Sequence, residues 1–139
     1  MEEKPMILYI EDNVMNRTLV KRVLEHRGFR VLEADDGPAG IVVAREMKPD
    51  LILMDLNIPG TDGYETTRRI KSDSELCSIP VIALTAYAMR GDREKALAAG
   101  CDGHITKPID VSTFPAKIEE FLRQARAQAT TAPAGPAQN

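Results

Sequence analysis

The chain has 139 residues, of which none is tryptophan, three are tyrosine and three are phenylalanine. With aromatics this scarce, a row of rings on which nucleobases could stack is not on offer. There are two cysteines, Cys77 and Cys101, in no CxxC pattern. That spacing excludes a disulfide framework and a cysteine zinc site. The two histidines, His26 and His104, make no HExxH pair. Basic residues do not dominate either: 18 Lys and Arg stand against 21 Asp and Glu, for a net charge of −3. A domain that lives on a nucleic-acid backbone is normally basic, so that partner is disfavoured. No apolar run approaches the roughly 20 residues of a membrane helix. The amino end is acidic (Glu2, Glu3) and lacks an apolar leader, so a cytoplasmic address is the expectation.

What is present is ordinary for one globular domain, with 43% hydrophobic and 28% charged residues. Composition shifts once, at QARAQATTAPAGPAQN over 124–139, where Arg126 is the only charge and nothing apolar exceeds alanine. Such a stretch buries too little surface to offset its ordering entropy. The expectation is a folded domain over 1–123 and a flexible tail or linker over 124–139, with the last helix able to run into the first few residues of that stretch.

Within 1–123 short apolar runs alternate with helical patterns. Strands are expected at 6–10 (MILYI), 29–34, 51–54 (LILM), 81–84 and, weakly, 101–106. The run at 51–54 is apolar at every position, as a strand covered on both faces must be. Helices are expected from the Asn13 cap to about Arg27, with Leu19, Val23 and Leu24 on the inner face. Others are expected at 38–47, 64–71, 92–99 and 114–123. Pro115 fits the last helix only if that helix opens near Ser112 or Thr113, putting the proline in its first turn. Five strands each followed by a helix make a doubly wound (βα)5 α/β fold of the flavodoxin-like kind, with a five-stranded parallel sheet.

Ligands of such sheets sit at the carboxyl ends of the strands. There the first strand is followed by Glu11-Asp12, the third by Asp55-Leu56-Asn57, the fourth by Thr85 and the fifth by Lys107-Pro108. Three carboxylates, a hydroxyl and an ammonium therefore share one edge. Crowded carboxylates repel and need a positive charge among them. A few hard oxygen ligands suit Mg²⁺, which favours phosphate oxygens as further partners. A carboxylate beside Mg²⁺ and Lys107 is poised to attack phosphorus and form an aspartyl phosphate. The Thr85 hydroxyl can then donate to the bound group. Any one of these residues alone would be a turn, a helix-start acid or a surface lysine; the convergence is the signal.

The segments ILYIEDN (7–13), LILMDLNIPGTDG (51–63), PVIALTA (80–86) and ITKPI (105–109) resemble those of response-regulator receiver domains of the CheY type, in the same order and spacing. TAYAMRGD (85–92) is similar to single-domain receivers of the DivK kind and to receivers of hybrid kinases. The resemblance implies a two-component phosphorelay module. Asp55 would be the phosphoacceptor, fed by a sensor histidine kinase or a histidine phosphotransfer protein. Glu11, Asp12, Asp55 and the backbone carbonyl of Asn57 would hold Mg²⁺, with Mn²⁺ as an alternative ion. Thr85 and Lys107 would bind the phosphoryl group. Thr85 and His104 would form the switch, although receivers usually carry Tyr or Phe at the latter position and an imidazole is smaller and titrates. It also implies a cis Lys107–Pro108 bond and a responsive surface over the fourth helix, fifth strand and fifth helix. Tyr87, Met89, Arg90 and His104 are the residues expected to meet a downstream protein partner there. Thr61 stands where many receivers have Met. Nucleic acid and membrane are not expected partners, and self-catalysed aspartyl phosphorylation and dephosphorylation are the only chemistry expected.

Three other readings compete with this one. A phosphatase of the haloacid-dehalogenase type needs a second Asp two residues after its nucleophile, and here that residue is Asn57. A flavin site wants a Ser/Thr-rich phosphate loop after the first strand, where Glu11 and Asp12 would repel it. A receiver fold used as a phosphate-independent docking module would not need the intact acid set.

Overall fold

The computed structural model of the protein describes residues 4–86 and 92–131. Five strands alternate with five helices: β1 (Met6–Ile10), α1 (Val14–His26), β2 (Arg30–Ala34), α2 (Gly37–Met47), β3 (Leu51–Asp55), α3 (Gly63–Ser72), β4 (Val81–Thr85), α4 (Asp92–Ala99), β5 (Gly103–Thr106) and α5 (Phe114–Thr131). All strand pairs are parallel, and the spatial order is β2-β1-β3-β4-β5. The chain thus winds outward one way from β1 and the other way from β3. The crevice at the β1 and β3 carboxyl ends is the switch point of the sheet.

Strand alternation sorts the core into two layers. Ile7, Tyr9, Leu51, Leu53, Ile82, Leu84 and Ile105 face α1 (Val20, Leu24) and α5 (Phe114, Ile118, Leu122). Leu8, Ile10, Ile52, Met54, Val81 and Ala83 face α2 (Ala44), α3 (Ile70) and α4 (Ala96). Residues Leu51–Asp55 are buried throughout, so β3 is the centre of the sheet. α2 sits close on β1 because Gly40 lacks a Cβ, which would overlap the Ile10 side chain.

Caps explain the helix starts. Asn13 accepts from the Asn16 amide, Asp36 from the Ala39 amide, and Asp62 from the Tyr64 and Glu65 amides. α5 opens at Phe114, so Pro115 occupies its first turn as expected.

Three expectations needed adjustment. Leu19 does not belong to the inner face of α1: it is 48% exposed, and Val20 and Leu24 carry the packing. β5 begins at Gly103 and not at Cys101. The amide of Cys101 closes onto Ala96 at the end of α4, and that of Asp102 pairs with the Val81 carbonyl. α5 continues past Arg123 to Thr131, farther than the few residues expected. Alanine is the best helix former and needs no burial to prolong a helix already docked. Among the described residues, no helix is long and apolar enough to cross a membrane.

Candidate functional site

Glu11 and Asp55 share a strand face with Tyr9 and Leu53, so both carboxylates emerge on the α1/α5 side of the switch point. They are 2% and 1% exposed. The fifth strand delivers Lys107 to them: its Nζ donates to Asp55 Oδ2 at 2.8 Å and stands 3.8 Å from Glu11 Oε1. The Lys107–Pro108 peptide is cis, and the Lys107 amide donates to the Thr85 carbonyl at 2.7 Å. Asp55 Oδ1 accepts from the Asn57 amide at 2.8 Å. Asp12 is exposed at the lip of the site. Thr85 is buried at the end of β4. Its strand alternates to the other face, with Val81 and Ala83.

Loops hold this arrangement. The Asn57 side chain accepts from the Ala86 amide at 2.8 Å, tying the turn after β3 to the exit of β4. Gly60, in the same turn, has φ +79, a left-handed conformation that glycine adopts without strain. Arg17 reaches over from α1 to donate to the Glu11 carbonyl at 2.8 Å and pairs with Glu33 at 3.1 Å.

Electrostatically the site is out of balance. Two buried carboxylates, Glu11 and Asp55, face one ammonium, Lys107, and the exposed Asp12 adjoins Glu11 along the chain. Burial, together with the neighbouring Asp55, pushes the Glu11 carboxyl up to about 7. Such a set accommodates a divalent cation. Its members are hard oxygens in small number, one of them exposed, which fits an ion that keeps several waters. No group of three or more His, Cys, Asp or Glu among the described residues forms a ready-made metal cage. Mg²⁺ does not require one, since it binds through one or two carboxylates and substrate phosphates.

Two features were missed by sequence reasoning. The first is the partner of Glu11: Tyr9, fully buried, donates its hydroxyl to Glu11 Oε1 at 2.9 Å, and Asn16 Nδ2 lies 3.4 Å from the same oxygen. The period-two spacing of Tyr9 and Glu11 was the available signal. The second is a cavity of about 440 Å³ beside the carboxylates, lined by Tyr9, Asn16, Leu19, Val20, Lys107 and Ile109 among others. Leu19 is exposed on its rim, and Val14 and Met15 are exposed at the start of α1.

His104 is half-buried on β5, opposite Ala83 and on the face away from α5. Tyr87, Met89 and Arg90 lie outside the described residues. Thr61 Oγ1 accepts from the Gly37 amide at 3.4 Å and has a structural place between α2 and the β3–α3 turn. His26 is exposed in the last turn of α1, where a basic group suits the helix dipole. Cys101 is buried, with its thiol pushed up by burial, and Cys77 is exposed on a loop.

Buried acids and a lysine thus meet at the switch point of a doubly wound sheet, the place where α/β proteins of this class bind their ligands. Comparison with known proteins narrows it: residues 7–119 match the response regulator receiver domain, and the chain belongs to that family. It is 41% identical over 119 residues to the polar-differentiation response regulator DivK of Brucella anthropi, covering 86% of this chain and 97% of that protein. Among solved structures, the receiver domain of a Pseudomonas aeruginosa sensor histidine kinase is 35% identical with TM-score 0.77, covering 89% of this chain and 98% of that one. That structure has a magnesium ion coordinated in its active-site cleft. A CheY-like receiver domain protein from Methanospirillum hungatei is 25% identical with TM-score 0.83, covering 91% and 99%. The chain is thus a receiver domain of two-component signalling, a DivK-like signalling protein and not an enzyme of the usual kind.

Proposed function

We propose that this receiver accepts a phosphoryl group on Asp55 in a Mg²⁺-dependent reaction and switches a protein-binding surface in response. The observation that carries the reading is the near-complete burial of Asp55 beside Lys107 in a site with an excess of negative charge. A carboxylate oxygen of Asp55 attacks phosphorus of a phosphohistidine or a small phosphodonor. The new O–P bond forms as the bond to the donor breaks, and the donor leaves with the electron pair. Lys107 moves with the transferred oxygens and stabilises their charge, and the Thr85 hydroxyl turns to donate to them. Mg²⁺, held by Glu11, Asp12, Asp55 and the Asn57 carbonyl, would supply further neutralisation of the same oxygens; Mn²⁺ has the same preference for oxygen. Hydrolysis of the acyl phosphate returns the resting state.

The phosphodonor is a sensor histidine kinase or a histidine phosphotransfer protein, which must bring its imidazole to the mouth of the site. Exposed Val14, Met15 and Leu19 offer it an apolar landing face at that mouth. The output is a population shift. Thr85 and His104 are the switch pair, and Tyr87, Met89, Arg90 and His104 form the surface read by a downstream protein. No step needs nucleic acid or a membrane, and a cytoplasmic kinase domain would be the source of phosphate.

The test is intact-mass spectrometry after incubation with a small phosphodonor, with and without Mg²⁺, beside Asp55→Asn. The expected result is one added phosphoryl group that requires Mg²⁺, is absent in Asp55→Asn and is released by hydroxylamine. No addition under conditions that modify another receiver would favour the phosphate-independent docking module.

A further inference from the structure

We propose that Tyr9 is a positioning residue for the cation site, fixing the Glu11 carboxylate through its hydroxyl; this rests on the reading of Glu11, Asp12 and Asp55 as the Mg²⁺ set. Tyr9 lies two residues before Glu11 on β1, so both point to the α1/α5 side. Its ring is packed in that core layer and is fully buried. A phenol in such a place must find an acceptor, and the acceptor is Glu11 Oε1 at 2.9 Å.

The bond matters more to Glu11 than to Tyr9. Glutamate is long and flexible, and a carboxylate 2% exposed must have its oxygens satisfied or lose its charge. The N–H donors near this carboxylate stand farther off. The Asn13 amide reaches Oε2 at 3.2 Å, Asn16 Nδ2 reaches Oε1 at 3.4 Å, and Lys107 stands at 3.8 Å while bonding Asp55 at 2.8 Å. Tyr9 therefore supplies the shortest hydrogen bond and ties one oxygen to a rigid strand. A phenol is protonated at neutral pH, so the hydroxyl is the donor of this pair. Partners of this kind, one layer behind the ligands, typically contribute 10–100-fold to metal affinity.

The experiment is titration calorimetry with Mg²⁺ on the parent chain, Tyr9→Phe, Asp12→Asn, Glu11→Gln and the Tyr9→Phe/Glu11→Gln double variant. Phenylalanine keeps the ring, and cooperative melting confirms that each variant folds. The expected result is about tenfold weaker Mg²⁺ binding in Tyr9→Phe. In the Glu11→Gln background the same change should have no further effect, because the group it acts through is gone. Phosphorylation of Tyr9→Phe by a small phosphodonor should be slow at limiting Mg²⁺ and recover at saturating Mg²⁺, a repair that a packing defect would not show. Unchanged affinity in Tyr9→Phe, or an equal loss in both backgrounds, overturns the assignment of Tyr9 alone. A parent chain that binds no Mg²⁺ overturns the cation set itself and Tyr9 with it.

Discussion

The two edges of the sheet each contain a lysine 2.8 Å from an aspartate, and the two pairs do different things. At the amino-terminal edge Lys71, from the end of α3, meets Asp102. Asp102 Oδ2 also accepts from the Val81 amide at 2.9 Å, and Lys71 also donates to the Ile79 and Cys77 carbonyls at 2.8 and 3.3 Å. One positive charge meets one negative charge there, every donor has an acceptor, and Asp102 is 44% exposed. The pair clips the end of α3 to the entries of β4 and β5. At the carboxyl-terminal edge Lys107 meets Asp55, which is 1% exposed, with Glu11 3.8 Å from the same ammonium. There the acid is buried and the ammonium is shared between two carboxylates. A balanced, half-wet ion pair is a staple, whereas a buried pair with surplus charge of one sign calls for a further cation and for whatever that cation brings with it. Distance alone does not separate the two; charge count and burial do.

The sharpest contrast comes from removing each lysine. Lys107→Met is expected to slow phosphorylation by a small phosphodonor about 100-fold or more, the usual consequence of losing one group that stabilises transferred oxygens. Lys71→Met should leave that rate nearly unchanged; time courses by intact mass would show it. Equal losses in both would erase the distinction between the edges. Stability should respond the other way. Lys71→Met leaves the Ile79 carbonyl without its short side-chain donor and is expected to cost about 1–3 kcal/mol in urea unfolding.

Removing the aspartates sharpens the comparison further. In cation-free buffer Asp55→Asn relieves repulsion with Glu11 and is expected to raise stability by about 1 kcal/mol, or a few degrees in melting temperature. Asp102→Asn should lower it, because nothing there repels. The smallest effect is in pH. Glu11 titrates near 7 in the folded chain and near 4.5 otherwise. Between those values the folded state keeps a proton that the unfolded chain has released. Its contribution to stability is therefore complete below about 4.5 and is lost as pH rises through about 7. Unfolding measured at both ends of this window in chelator should show the decline, and added Mg²⁺, which favours the charged form, should shrink it.

Much of this edge was legible before any coordinates. β1, β3 and β4 are short apolar runs that end in Glu11, Asp55 and Thr85, and the doubly wound topology brings strand ends together whatever the side chains are. Lys107 followed from the same rule. The layer behind the acids was not legible. Tyr9 reads as one more apolar strand residue until the sheet shows that its hydroxyl has only the inside of the site to face. Leu19 fits the helical stripe of α1 by spacing, yet the stripe is narrower than the pattern, since Val20 and Leu24 are the α1 residues buried against the sheet, beside α5. That α5 runs into the first residues after Arg123 was legible; its reach to Thr131 was not, because nothing apolar beyond alanine marks it. Alanine prolongs a helix by propensity, and Phe121 and Ile82 still border a groove lined by Gln124, Ala125 and Gln128.

The central claim is that Asp55, and no other carboxylate of the crowded edge, forms the covalent bond to phosphorus. Borohydride reduction of phosphodonor-treated protein, followed by peptide mapping, tests it directly, because an aspartyl phosphate is reduced to homoserine. Homoserine is expected at position 55 only, and only when both phosphodonor and Mg²⁺ were present. Homoserine at position 12, a reduced glutamate at position 11, or no reduced residue at all would contradict it.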